Sequence, residues 1–434
     1  CMGPNMIDLA TTLSTIAQLL GISAPELYRL IKSTIKKMDE KGKQRTLAER
    51  KYKIDKMVEE GILTKTLRLY YSAESLKKGN LTPYSFNLNG RTIDTSIATR
   101  PAWVGQAIGL AGKNEQCDLV DVQSPRAKIS RRDAVRLLAL LEAQGLKLWD
   151  SQIYRLLDLD LDANRFNARF ALDSFLHYRF TDGLLRDELM EKLLDVDFDV
   201  DSVVAHSQRV LPQRQQILPD GHSLVDFSAR ICAGGPTVVF AYARSEPYRD
   251  YAILIQQRSE AVTDSQGTIS VIPQAFHQPI IDTNDEINLS SSVYREIYEE
   301  LLEGQEAERD VRRLKHDWYM AANPAMRWLK EHRKLHTIDL VSAGINLDKG
   351  SYEFSVLFAI HDSHFYETYG DLLKPNWEAK GVTPYSTMNS EKLAVLLGSP
   401  NWASEGLFAL VESLLHLKAF DPKRVRIPSL ERFV

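Results

Sequence analysis

Sulfur is scarce in this chain. Its 434 residues carry three cysteines, Cys1, Cys117 and Cys232. They have no metal-ligand spacing and cannot all pair, so a reducing cytosol is the expected compartment. No stretch approaches the ~20 consecutive apolar residues of a membrane span. The start lacks the basic-then-apolar layout of a signal peptide, and the segment CMGPN before Met6 reads as a vector-derived leader. No G-x-S-x-G elbow is present, and CAGGP is not a phosphate loop because no Lys-Ser/Thr follows it. The acidic run DVDFDVDS lacks the Gly and the terminal Glu of an EF-hand loop and reads as a solvated connection. These gaps exclude serine-hydrolase, P-loop, zinc-ribbon and calcium-hand chemistry. Internal repeats are also missing.

What remains is a globular composition, 44% hydrophobic and 26% charged, on a chain long enough for two or three domains. The net charge of −4 is unevenly spread: residues 1–80 hold 15 Lys/Arg against 9 Asp/Glu, leaving −10 for the rest. That asymmetry suits either a basic module on an acidic body or a solvated helical surface.

Residues 7–37 read as two helices about a tight turn, IDLATTLSTIAQLL, GIS, APELYRLIKSTIKK. Ile16, Ala17, Leu27 and Leu30 form the expected inner face, Gly21 opens the corner, and Ser23 caps the second helix. The layout resembles the helix-turn-helix of bacterial regulators, which implies that Glu26, Tyr28, Arg29 and Lys32 face outward and that Arg29 and Lys32 contact duplex DNA. TLAERKYKIDKMVEEGIL follows as an amphipathic helix, and LTKTLRLYY as a wing strand.

Residues 81–225 form a mixed, largely helical middle region without an assignable role. Helical periodicity is expected over ISRRDAVRLLALLEAQGLKLWDSQIYRLL and FTDGLLRDELMEKLL. From about 226 the texture changes to strands: GPTVVFAYAR, DYAILIQQR, GTISVIP, then HTIDLVSAGINL and YEFSVLFAIH. Between them lies the helix NLSSSVYREIYEELLEG, with Asn288 or Ser290 as N-cap, and ASEGLFALVESLLHLKA closes the region. The expected class is α+β, with domains at 1–80, 81–225 and 226–434.

REIYEE crowds Arg295, Glu296, Glu299 and Glu300 together. At 100° per residue the three acids share an arc of roughly 100° while Val293, Ile297 and Leu301 form a separate apolar stripe. The acidic side is therefore expected to stay open. Arg295, one turn before Glu299, can hold it, and three hard oxygen ligands suit Mg²⁺ or Mn²⁺.

The stretch resembles the Nudix signature G-x5-E-x7-R-E-U-x-E-E-x-G-U, with U a bulky apolar residue, and matches its R-E-U-x-E-E core. The order strand, QQRS, loop, strand, Pro273, loop, acidic helix agrees over residues 226–420. The resemblance implies an α/β/α sandwich with a mixed sheet, Glu296, Glu299 and Glu300 as catalytic metal ligands, and Arg295 orienting them. Arg258, Phe276 and His277 are the expected substrate contacts, and Glu353 or Glu405 the additional acid. The chain departs from the signature at PQAFHQP, where Pro-Gly-Gly is usual, at Ile287, where Glu is usual and Glu286 lies one position off, and at Leu302-Glu303. Two functions are expected as alternatives. One is metal-dependent hydrolysis of a nucleoside diphosphate linked to another group. The other is a nucleotide-sensing regulator with a non-catalytic ligand domain. The partners expected are a nucleotide, duplex DNA through residues 1–80, and a second copy of the chain.

Overall fold

The computed structural model describes residues 9–39, 52–125, 129–143, 150–162, 164–197, 199–258, 267–302, 315–374 and 379–434. Its strands are β1 (Thr82–Leu88), β2 (Arg91–Thr99), β3 (Val104–Gly109), β4 (Glu115–Leu119), β5 (Gln152–Asp162), β6 (Arg165–Ser174) and β7 (Gly235–Ala243). Then follow β8 (Tyr251–Arg258), β9 (Ile269–Val271), β10 (His336–Asn346), β11 (Tyr352–Ile360), β12 (Ala379–Ser386) and β13 (Leu430–Phe433). The chain is thus a mixed α+β protein.

The main sheet runs β12-β8-β7-β11-β10-β2-β1-β13, with β3 on β10 and β9 on β8. β7 and β11 pair in parallel, β10 and β11 antiparallel, so the sheet is mixed. Its central strands are buried on both faces, and period-two alternation divides their side chains between two cores. On β7, Val238, Phe240 and Tyr242 join the core that contains Leu289, Val293 and Ile297 of the REIYEE helix. Val239, Ala241 and Ala243 point the other way, into the core built by Leu407, Phe408, Val411 and Leu414 of the helix Ser404–Phe420. A helix therefore covers each face of the sheet. A second, smaller sheet, β4-β6-β5, packs into the first of these cores through Tyr154, Leu156, Phe166 and Phe170.

Several sequence expectations change here. β1, β2 and β3 fall in the expected middle region, yet they are strands of the main sheet; β2 pairs with β10 through Ala98 and Ile97. Residue 226 is a change of texture along the chain, not an edge of the sheet. DSQIYRLL, expected as helix, enters β5. Its second half alternates, with Leu159 and Leu161 buried between exposed aspartates, but in its first half Ile153, Tyr154, Arg155 and Leu156 are all buried, which hides the period of two. LTKTLRLYY is helical over Ile62–Tyr70 rather than a wing strand; the Thr66 hydroxyl donates to the Ile62 carbonyl one turn back.

The N-terminal helices, Leu9–Leu19 and Ala24–Asp39, form as expected. Gly21 adopts φ +65°, and Ser23 Oγ accepts the Glu26 N–H. Ile16, Ala17 and Leu27 are buried, but Ile31 takes the inner position and leaves Leu30 37% exposed. The reason is a third helix, Arg131–Ala143, which packs on this pair through Ala134, Val135 and Leu138. Arg131 also donates to the Leu20 carbonyl. Residues from outside 1–80 thus complete the N-terminal core. Cys117 and Cys232 are free thiols. Among the described residues no helix is long and apolar enough to cross a membrane.

Candidate functional site at the carboxylate helix

The REIYEE segment begins as an α-helix, Leu289–Glu296, and continues as a π turn over Ile297–Leu301. Asn288 holds the cap position but makes no side-chain bond there. Glu115 on β4 caps the helix instead: its carboxylate accepts the Ser290 N–H at 3.0 Å, the Ser290 hydroxyl at 2.7 Å and the Ala111 N–H at 2.9 Å. The π turn carries more residues per turn than an α-helix, so Glu299 and Glu300 do not keep the α-helical angle to Glu296. π turns inside helices are frequent at functional sites.

The apolar stripe Val293, Ile297 and Leu301 is buried as expected. The acidic side is not open: Glu296 is 7% exposed, Glu300 3%, and Glu299 half-buried. Arg295, itself 2% exposed, turns to Glu296 rather than to Glu299, with Nη2 and Nε at 2.9 and 3.3 Å from Oε1. Its Nη1 donates to the Gln278 carbonyl at 2.9 Å. Burial alone would lower the Arg295 pKa, but the charges of Glu296, Glu299 and Glu286 outweigh it and raise the pKa further. Glu286 accepts the N–H groups of Ile280 and Ile281, so it folds the loop ahead of the helix.

Glu300 Oε1 accepts the Gln274 backbone N–H at 3.0 Å. The Gln274 side chain then reaches across the site: its Nε2 donates to Glu405 Oε1 at 3.2 Å, and its Oε1 accepts from Ser270 Oγ at 2.9 Å and Arg258 Nη1 at 3.3 Å. Glu405, in the first turn of the last long helix, also accepts Asn346 Nδ2 at 3.2 Å. Glu353 on β11 accepts Ser351 Oγ at 2.8 Å. Burial, reinforced by the Glu405 charge, holds the Glu353 carboxyl well above the usual carboxylate range. The structure therefore gathers Glu300, Arg258, Glu405 and Glu353 around the loop PQAFHQP.

Two expected substrate contacts lie elsewhere. His277 is buried: Nε2 donates to the Ile287 carbonyl at 2.8 Å, and Nδ1 accepts from Ser292 Oγ at 2.9 Å. Burial pulls its pKa down to about 3, with Arg295 adding to the effect and the Ile287 carbonyl opposing it. With both nitrogens engaged, it pins the loop to the helix and presents no proton to a ligand. Phe276 packs edge-on against Phe175 and Tyr178, at ring distances of 5.4 and 5.3 Å.

Sequence reasoning set CAGGP aside once it failed as a phosphate loop, yet its glycines shape the site. A Cβ on Gly235 would lie 2.0 Å from the Ala275 carbonyl oxygen, and one on Gly234 1.8 Å from that of Tyr352. Only glycine lets PQAFHQP lie so close to the start of β7. A paired-glycine stretch beside a buried strand was the available signal.

The donors do not fit the expected shared cation. Among the described residues no three Asp, Glu, His or Cys side chains converge as a ligand set. Glu296 is turned to Arg295 and Glu300 to Gln274. A cleft of about 390 Å³ lies near the opposite end of the helix, lined by Glu115, Ser290, Tyr294, His316 and Arg333. At the N-terminus Arg29 is exposed, its Nε 3.4 Å from the Pro25 carbonyl, whereas Lys32 pairs with Glu142 at 2.5 Å. No family model matches the chain, and no curated protein matches it.

Proposed function

We propose that this protein is a nucleotide-responsive regulator whose Nudix-like sandwich holds a nucleoside diphosphate derivative without hydrolysing it. The N-terminal helix pair, with Arg29 on its exposed face, is the DNA-contacting part. The observation that carries this reading is the engagement of the box within the chain: Arg295 pairs with Glu296, and Gln274 meets Glu300 through its backbone N–H and Glu405 through its carboxamide. Carboxylates already engaged within the chain are poorly placed to share a catalytic metal. Arg258, at the rim of the same loop, is the cation that a ligand phosphate would meet.

The test uses the full chain with a panel of nucleoside diphosphate derivatives, with and without Mg²⁺ or Mn²⁺. The expected result is a ligand-dependent rise in melting temperature without released phosphate or mononucleotide, together with salt-sensitive binding to duplex DNA. Metal-dependent turnover would overturn it in favour of a second reading, a Nudix-type pyrophosphohydrolase. One observation favours that alternative: burial and the Glu405 charge hold the Glu353 carboxyl well above the usual carboxylate range, as suits a proton-transferring acid. Mg²⁺ or Mn²⁺ belongs to that second reading and requires Glu296 and Glu300 to leave their present partners.

A further inference from the structure

The loop that closes the box also touches an element reaching back to the N-terminal helices. That element is the short helix Phe175–Arg179, whose N-cap Ser174 accepts the His177 N–H. Its residues divide by helical spacing between two cores. Phe175 and Tyr178, three apart, face the box loop and meet the Phe276 ring in a small cluster with Ile153, Ile231 and Ala233. Leu176 and Phe180, four apart, face the opposite way and join Ile16, Ala17, Leu27 and Ile31 of the N-terminal pair. A buried ion pair, Arg230 Nη1 to Asp182 Oδ1 at 2.7 Å, ties the end of the segment to the body, and Arg230 also donates to the Gly350 carbonyl beside β11. The box loop is itself held at both ends of its aromatic contact. Gln274 joins it to Glu300 and Glu405, and His277 joins it to the REIYEE helix while its carbonyl accepts the Tyr154 N–H at 3.0 Å.

We infer that residues 175–180 are the coupling element of the molecule, transmitting a shift of the box loop at Phe276 to the helices Leu9–Leu19 and Ala24–Asp39. The arrangement is a two-sided wedge. A displacement of Phe276 withdraws packing from Phe175 and Tyr178, and the same short helix carries Leu176 and Phe180 in the N-terminal core. Close-packed interiors transmit such displacements because the neighbouring side chains have no free volume to absorb them. Its purpose rests on the regulator reading, but the contact itself does not. The experiment below therefore uses neither nucleotide nor DNA, and its failure leaves the ligand and DNA tests of that reading standing.

The test is backbone hydrogen exchange on the full chain, comparing the unmodified protein with Phe276→Ala. The expected result is at least tenfold faster exchange in 175–180 and in both N-terminal helices, with β10 and β11 unchanged. Phe276→Leu, which keeps apolar bulk at the site, should show the same pattern at smaller amplitude and serves if the alanine variant does not fold. Val395→Ala, an exposed truncation on the helix Ser390–Leu397, should leave the N-terminal helices unaffected. Acceleration confined to the box loop and its immediate neighbours would overturn the inference. So would a uniform rise across the chain, or an N-terminal response to Val395→Ala.

Discussion

Lowering the pH from 7 to 4 should destabilise the protein through His277. Its imidazole is neutral in the fold, donating at Nε2 and accepting at Nδ1, and burial pulls its pKa from 6.5 to about 3. In the unfolded chain the ring titrates near its ordinary value. Below about pH 6.5 the unfolded chain therefore takes up a proton that the folded protein refuses. The stability contributed by the neutral ring is complete above that pH and drains away as the pH falls toward about 3, at about 1.4 kcal/mol per pH unit. Between pH 7 and 4 the loss from this one group is roughly 3 kcal/mol. His336, whose pKa burial lowers to about 4, changes in the same sense, so a raw pH profile does not isolate His277. The variant His277→Gln does, because its carboxamide keeps a donor for the Ile287 carbonyl but cannot titrate. Denaturant unfolding of both proteins across the pH series should show the variant less stable at pH 7 and the gap closing by roughly 3 kcal/mol at pH 4. A gap that stays constant with pH would refute the argument. It would mean that His277 is free to take a proton in the folded state, as a phosphate-facing histidine is.

Gln274→Ala removes the bridge to Glu405 and the acceptor of Ser270 Oγ, both buried, and should lower stability by ~1–3 kcal/mol; an unchanged unfolding midpoint would show that the bridge carries no energy. Glu353→Gln should stabilise the protein progressively as the pH rises. The native carboxyl stays protonated well above its ordinary 4.5, so its contribution is complete below that pH and is lost above it, whereas an amide pays no such penalty. Melting curves at pH 4.5 and 8 decide this, and equal differences at the two would count against it. Arg295→Met leaves Glu296 buried without its partner and should cost about 3 kcal/mol or more in denaturant unfolding.

Local pattern was enough for the strands β7 to β11, because each is a run of β-branched or aromatic residues bounded by turn-rich segments. The helix Ser404–Phe420 was equally legible from its length and apolar content. The membership of the sheet was not. β2 joins β10 and β1 joins β13 across more than two hundred residues of chain, and nothing in TPYSFNL or RTIDTSIAT names those partners. The third helix of the N-terminal core had the same difficulty: Arg131–Ala143 has clear helical periodicity, but periodicity does not say against what it packs. Leu30 was placed inward because two helices alone offer only one inner face, and the third helix rotated that face to Leu27 and Ile31.

At the site, residue type led to the right neighbourhood and misjudged the electrostatics. Three glutamates within five positions demand either water or compensation, and helical geometry suggested water with a cation as the remedy. The fold engages two of them from within, Glu296 with Arg295 and Glu300 with the Gln274 N–H. Arg295 had been assigned to the acid one turn on, but the adjacent Glu296 is the one within reach of its guanidinium once both are buried. Gln274 stands in the segment where the resembling family has Pro-Gly-Gly. A glycine there offers only a backbone N–H. A glutamine adds a carboxamide whose two ends differ in polarity, and each end finds its complement: Glu405 at the amino end, Ser270 and Arg258 at the oxygen. The side chain that removes the usual backbone approach thus adds a bond to Glu405, while Glu300 is held by the backbone N–H that any residue at 274 would offer. The loop is held at one point by Glu300 and, through Phe276, meets Phe175 and Tyr178, so its position is set by both the acidic helix and the aromatic cluster.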